Sequence, residues 1–211
     1  MLSKKQISKI KIAARIASCL IDDARKFLKP GIREKDVADH LKKMMKTYKT
    51  QGPSFKIIVA SGRRTAIPHG YATKKIIGEN DVVMIDLGVK YSGVCSDITR
   101  MFFFVNGKLR SVPKDKKTKR IFQIVKKAQL QAISMLKNNV NVKDIDLAVR
   151  NIFKNHKIEK FFLHSTGHGI GIKVHEPPRI SYKSDEVLKS GMVVTIEPGI
   201  YLKNQKKPFG I

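Results

Sequence analysis

The stretch Val83-Met84-Ile85-Asp86-Leu87-Gly88-Val89-Lys90-Tyr91-Ser92-Gly93-Val94-Cys95-Ser96-Asp97-Ile98-Thr99 reads as two strands meeting at a turn near Tyr91-Ser92-Gly93. A hairpin centred between Tyr91 and Ser92 pairs Lys90 with Gly93 and Asp86 with Asp97. Directly opposed residues have Cβ atoms about 4.5–5.5 Å apart, and like charges there destabilise a sheet. Asp86 also sits inside an apolar strand, where loss of water disfavours its charged form. Two carboxylates in such a place share a proton or hold a cation, and the cation site is the better reading. The competing one is a different register with one solvated aspartate.

Outward from the hairpin, the apolar period changes. Residues 4 to 28 carry Ile7, Ile10, Ala14, Ala17, Leu20, Ile21, Phe27 and Leu28 at helical spacing, stopped by Pro30-Gly31. A second helical stretch runs through Val37, Leu41, Met44 and Met45 to about Tyr48. Strands are expected over 55–60, 81–90 and 94–105, then helices over about 117–136 and 142–155, then glycine-rich strands. Two helices followed by strands, twice over, suggests an internal duplication. Leu28-Lys29-Pro30-Gly31-Ile32-Arg33-Glu34-Lys35-Asp36-Val37 matches Leu136-Lys137-Asn138-Asn139-Val140-Asn141-Val142-Lys143-Asp144-Ile145, 108 positions on, in Leu, Lys, Lys and Asp. Two ordinary helix turns in a lysine-rich chain are the alternative source of that match. No linker separates the halves, so residues 1–211 are expected to form one α/β (α+β) domain of two similar halves.

Two further segments carry chemistry. In His164-Ser165-Thr166-Gly167-His168-Gly169-Ile170-Gly171-Ile172-Lys173-Val174-His175-Glu176, half of the six histidines fall within twelve residues. The glycines do not make a dinucleotide loop, because they run into Pro177-Pro178 where that loop needs a helix. They allow close backbone approach to a ligand or a neighbour instead. In Gly191-Met192-Val193-Val194-Thr195-Ile196-Glu197-Pro198-Gly199, Glu197 ends an apolar strand, and a buried glutamate is costly unless paired. Two aspartates, a histidine and this glutamate form an oxygen-rich set with one nitrogen. That set suits two adjacent Mn, Co, Fe or Zn ions better than a cysteine-bound structural zinc. Such a pair can hold a hydroxide and polarise a carbonyl, the equipment of metal-assisted hydrolysis.

Composition sets bounds without naming a function. The 211 residues are 42% hydrophobic and 28% charged, enough for a sizeable core and against wholesale disorder. The longest apolar runs are too short to span a bilayer, and no export signal follows Met1. Two cysteines read as reduced thiols in a cytoplasmic protein. The net charge is +26, yet the lysines are spread over the chain, with only a loose cluster at Lys114–Arg120. No interleaved aromatic platform accompanies them, so dedicated nucleic-acid binding is not expected, while non-specific adhesion at low salt is.

The motifs together resemble the catalytic domain of the pita-bread metallopeptidases, the group containing methionine aminopeptidase, prolidase and aminopeptidase P. Gly52-Pro53-Ser54-Phe55, Pro68-His69-Gly70, the Asp86/Asp97 hairpin, the His168-to-His175 segment and Thr195-Ile196-Glu197-Pro198-Gly199 carry the likeness over essentially the whole chain. Pro53-Ser54-Phe55, Cys95-Ser96-Asp97-Ile98-Thr99-Arg100 and Glu197-Pro198-Gly199-Ile200-Tyr201 point to the Xaa-Pro branch. The resemblance implies a pita-bread fold of two pseudo-symmetric halves, each of two helices and antiparallel strands. It implies a metal-dependent peptidase that hydrolyses the Xaa-Pro bond at peptide N-termini through a metal-bound hydroxide. Two divalent ions are implied, manganese first, with Co, Zn or Fe as options. By position, Asp86 chelates one metal, Asp97 bridges both, and His168 and Glu197 bind the other. Glu197 also accepts the proton of the attacking water, His175 stabilises the oxyanion, and His69 and His164 line the substrate cleft. The family's N-terminal domain is absent from these residues. Its Arg-x-Glu strand, whose glutamate is the fifth ligand, would follow Phe209-Gly210-Ile211. The expected partner is a peptide substrate, with no membrane, and homodimerisation is left open. Methionine aminopeptidase-like specificity, and a non-catalytic module using its basic surface for RNA or ribosomes, are the alternative readings.

Overall fold

The computed structural model describes residues 2–211. Helices α1 (Lys4–Phe27) and α2 (Glu34–Thr47) come first, then β1 (Ile58–Ser61), β2 (Val82–Leu87), β3 (Lys90–Tyr91), β4 (Val94–Cys95), β5 (Ile98–Val105) and β6 (Lys108–Arg110). Helices α3 (Lys116–Ser134) and α4 (Val142–Asn155) follow, then β7 (Gly167–Gly169), β8 (Glu176–Ile180), β9 (Tyr201–Leu202) and β10 (Phe209–Gly210). The helices start where their caps allow. Ser3 and Gln6 form a capping box on α1, and Asp115 and Asn141 accept from Thr118 N and Lys143 N at the starts of α3 and α4. No helix among the described residues is long and apolar enough to cross a membrane.

The main sheet runs β1-β2-β5-β6, every pair antiparallel. Period-two alternation divides its faces. Val83, Ile85 and Leu87 of β2, with Phe102 and Phe104 of β5, pack under α1 and α2 in a first core. Met84 turns the other way with Ile58 and Ala60, and Asp86 shares that face by parity. Phe103 joins a second core built on α3 and α4, with Ile180, Ile200, Leu202 and Phe209. The carboxylate therefore sits on the sheet face turned away from the first core.

The hairpin register differs from the expected one. The turn is Ser92-Gly93, both with positive φ (50° and 83°), so Tyr91 pairs with Val94 and Asp86 pairs with Thr99. A two-residue turn of this hand needs φ > 0 at both central positions, which glycine supplies at the second. Moving the turn by one residue moves every pairing by two. A shift of two keeps each side chain on its face. Asp97 therefore stays on the face of Asp86, as a diagonal neighbour and not as its direct partner. The expected strand over 94–105 is also broken at Ser96-Asp97. There Ser96 Oγ accepts from Val89 N at 3.0 Å, and Ser54 Oγ donates to Ser96 O at 2.8 Å. The backbone at this break passes close enough that a Cβ on Gly88 would lie 1.8 Å from Ser96 O.

The duplication is visible in the backbone. In the first half Gly31 N donates to Ile77 O, Ile77 N to Ile32 O, and Glu34 N to Lys75 O. In the second, Asn139 N donates to Leu188 O, Leu188 N to Val140 O, and Val142 N to Glu186 O. Along the same correspondence, β2 Val82–Leu87 matches Val193–Pro198, so Asp86 is equivalent to Glu197. The strand expected to end at Glu197 is an extended segment bonded to β7 and held in the ladder only by the Gly169–Val194 bridge.

The two hairpin glycines should respond differently to alanine. Gly93 has open space around it, so Gly93→Ala should cost only the left-handed backbone penalty, about 1–2 kcal/mol. Gly88→Ala must push backbone away and should cost about 3 kcal/mol or more. Equal midpoints in urea unfolding for the two variants would contradict this packing.

Candidate metal centre

Three ligand-type side chains converge where the halves meet. Atoms of Asp97, His168 and Glu197 all lie within 4.8 Å of one another. His168 Nε2 is 3.1 Å from Glu197 Oε1 and 3.6 Å from Asp97 Oδ2. Each residue comes from a different strand context. Asp97 stands in the break between β4 and β5, His168 lies in β7, and Glu197 follows the extended segment that β7 accompanies. Thr195 N donates to His168 O at 2.8 Å and Glu197 N to Thr166 O at 2.8 Å, which ties that segment to β7. A Cβ on Gly167 would lie 2.0 Å from Thr195 O, so the glycine beside His168 serves a neighbouring backbone.

The ring of His168 is oriented by the chain. Its Nδ1 lies 2.9 Å from Gly169 O, and a carbonyl only accepts, so Nδ1 carries the proton. Nε2 is left facing two carboxylates. Backbone-fixed Nδ1 with Nε2 presented to acids is the arrangement of a metal-binding histidine. Thr195 Oγ1 donates to Glu197 Oε1 at 2.8 Å and accepts from His168 N at 3.0 Å, holding both ligands. Thr99 Oγ1 donates to Asp86 Oδ1 at 2.9 Å, as the observed register requires.

Electrostatics explain why these groups ask for a cation. Burial, and then the Asp97 charge, push Asp86 up to about 8. Burial also raises Asp97. Burial works against a charged His168, but hydrogen bonds to Asp97 and Glu197 outweigh it and carry the imidazole up to about 10. Glu197 ends below its ordinary value, because the His168 hydrogen bond and charge overcome the effect of burial. Without a metal, the cluster balances its carboxylates with protons on Asp86 and His168. Oxygen donors plus one imidazole nitrogen, short of positive charge, fit a divalent cation of the Mn, Co, Fe or Zn kind.

The remaining expected residues lie around this centre. The His175 ring centroid is 4.4 Å from that of His168. His69 lies exposed on the loop after the 3₁₀ turn Gly62–Ala66, outside the clustered ligands. His164 turns both ring nitrogens to the chain itself, Nδ1 2.8 Å from Ser165 O and Nε2 3.0 Å from Tyr201 OH. Burial, with the Glu197 and Asp86 charges, holds the Tyr201 hydroxyl well above its ordinary value. Thr99, Thr195 and Tyr201 escaped the reading of the sequence. Thr195 had a signal, since residues two apart on a strand share a face with Glu197.

The signs of these shifts fix a pH dependence for the metal-free protein. Asp86 gains a proton on folding, so its ionisation penalty is absent below its ordinary value of 3.8 and complete above about 8. His168 contributes stability that is full below 6.5 and lost as pH rises to about 10. Both act in one direction. In chelator-treated buffer the unfolding temperature should fall between pH 6.5 and 9, and less steeply in Asp86→Asn. A flat or rising profile would contradict the cluster's electrostatics.

Comparison with known proteins places this arrangement. The chain is 40% identical over 200 residues to the Xaa-Pro dipeptidase of Pyrococcus furiosus, covering 95% of this chain and 56% of that relative. The structure superposes on prolidase from Pyrococcus furiosus with a TM-score of 0.91 and 40% identity, over 99% of this chain and 59% of that one. An Xaa-Pro dipeptidase from Bacillus anthracis matches with a TM-score of 0.91 and 38% identity, over 99% of this chain and 56% of that one. The chain thus spans little more than half the length of the relatives it matches, and its architecture is the expected pita-bread fold. Residues 8–211 match the model of metallopeptidase family M24, and with agreement over so much of its length the chain belongs to that family.

Proposed function

We propose that the protein is a metal-dependent peptidase that cleaves the bond between a peptide's first residue and a following proline. The observation that carries this reading is the half-buried meeting of Asp97, His168 and Glu197, beside an Asp86 whose charged form is disfavoured by burial and by Asp97. The relatives named Xaa-Pro dipeptidase support the choice of substrate.

In this reading Asp86, Asp97, His168 and Glu197 hold two divalent ions, manganese first, with Asp97 shared between them. Bound metal would supply a nucleophile from water near neutral pH and polarise the scissile carbonyl. Glu197, steadied by Thr195, accepts the proton released by the attacking water. His175, beside His168, donates to the oxyanion that develops on the carbonyl oxygen. His69 meets substrate from its exposed loop, and His164, braced by Tyr201, lines the cleft. We assign residues 1–211 to a single catalytic domain and the protein to the cytoplasm, where its free thiols Cys19 and Cys95 stay reduced.

Extended by the Arg-x-Glu strand that the family resemblance implies and supplied with Mn²⁺, the protein should hydrolyse Xaa-Pro dipeptides and leave Met-Ala intact. Residues 1–211 alone should hold at most one metal tightly and show little turnover. Preferential cleavage of Met-Ala would move the specificity to the methionine aminopeptidase type. Asp97→Ala should lose tight metal binding altogether, whereas Asp86→Ala should keep the His168/Glu197 ion. Equal metal content in the two variants after dialysis would refute the shared-ligand role.

His175 gives a separate test, because it is assigned to the oxyanion and not to the metal. His175→Ala should retain its metal and lose about 10²–10³-fold in turnover, the usual cost of one such donor. Loss of bound metal in that variant would place His175 among the ligands.

A further inference from the structure

Each half of the molecule buries one carboxylate on its second helix, away from the metal ligands. In the first half this is Glu34, wholly buried. It accepts from Ser61 N and Oγ, from Thr73 N and Oγ1, and from Arg64 Nε, at 2.7–3.1 Å. Arg64 Nη2 in turn donates to Tyr71 O at 2.7 Å. In the second half it is Asp146, also wholly buried. Its Oδ1 accepts from Thr166 N at 3.1 Å and Thr166 Oγ1 at 2.6 Å. Its Oδ2 accepts from Arg150 Nε at 2.7 Å and Tyr182 N at 2.9 Å. Arg150 Nη2 donates to His164 O at 3.0 Å. The two clusters share a plan: a carboxylate, an arginine bonded to it and to a nearby carbonyl, and a threonine bonded through both N and Oγ1.

They hold different things. Glu34 grips the two ends of the 61–73 segment. Asp146 with Arg150 grips His164 and Thr166, immediately before Gly167-His168. Thr166 O is also the acceptor for Glu197 N at 2.8 Å. One buried group thus anchors the strand that carries His168 and, through one carbonyl, the segment that carries Glu197.

We infer that Asp146 is a positioning residue for the His168–Glu197 half of the metal centre, setting its affinity for a divalent cation without touching the ion. The inference rests on the metal-centre reading of the proposed function. Its chemistry is that of outer-sphere support: ligands held in place bind more tightly, and loss of such support costs about 10–100-fold in metal affinity. Asparagine cannot substitute for Asp146. Whichever way its amide faces, an NH₂ meets two donors, either Arg150 Nε with Tyr182 N or the two from Thr166.

The duplication supplies the control. Glu34→Gln breaks a cluster of the same plan, set one helical turn off in the repeat (Glu34 aligns with Val142, Asp146 with Ala38), in the half that carries Asp86 and Asp97 and not His168 or Glu197. Co²⁺ is the probe, read by calorimetry and by its visible absorption, alongside thermal unfolding of each protein. Asp146→Asn should lower Co²⁺ affinity at least about tenfold and alter the absorption band. Glu34→Gln should lower the unfolding temperature comparably while leaving Co²⁺ affinity at the wild-type value. Thr166→Val keeps the Asp146–Arg150 pair and removes one bond, so it should show a smaller loss of affinity, and it serves if Asp146→Asn does not fold. Equal losses in the Asp146 and Glu34 variants, or unchanged affinity in Thr166→Val, would overturn the inference and leave the metal reading standing. A wild-type protein that takes up no Co²⁺ would overturn the metal reading and this inference with it.

Discussion

The repulsion among Asp86, Asp97 and Glu197 in a poorly hydrated cleft is the constraint on which the arrangement of this molecule turns. Such carboxylates are tolerated only when positive charge stands among them, because low dielectric strengthens their repulsion while desolvation penalises each charge. Without metal that charge comes from protons, one on an Asp86 raised to about 8 and one on a His168 raised to about 10. A divalent cation replaces both. The cluster is therefore unfavourable as packing and intelligible as a binding site, the kind of local conflict that marks functional positions.

Duplication is how the fold brings these groups together. Each half offers an extended segment with an acid near its end, Asp86 in β2 of one and Glu197 after Val193–Ile196 in the other, laid against a second strand. The halves are not identical where chemistry is concerned. Counting along the same correspondence, His168 stands where the first half has Ala60, a small buried residue. The buried carboxylates Glu34 and Asp146 stand one helical turn apart in the repeat, yet each ties its second helix to a neighbouring chain segment. Satisfied by several donors, they cost little as buried polar groups and rigidify what they hold.

Most of the candidate site was legible because its residues belong to short-range patterns. The helices announced themselves by spacing and breakers, and Glu197 by ending an apolar strand. The expected pairing of Asp86 with Asp97 is off by two residues, and an even shift of that kind leaves both side chains on the same face. The true centre of the turn depends on Ser92 and Gly93 both taking positive φ. That preference competes with neighbouring possibilities and is decided by packing of the strands on either side. The break at Ser96-Asp97 was not legible, because the bonds that stabilise it come from Ser54, forty-two residues away in the chain.

The sequence by itself determined which residue types were available, their period, and hence the two-helix-and-strands order of each half and the face on which each acid lies. These follow from backbone geometry and local propensity, which act over a few residues. Only the tertiary structure decided that Asp97, His168 and Glu197 bring their ligand atoms within 4.8 Å of one another, that Thr99 and not Asp97 opposes Asp86, and that Asp146 holds the segment just before His168. Those contacts join residues from 13 to 100 positions apart. Their energies come from burial and from the exclusion of water between the halves, and both arise only once the whole chain has packed.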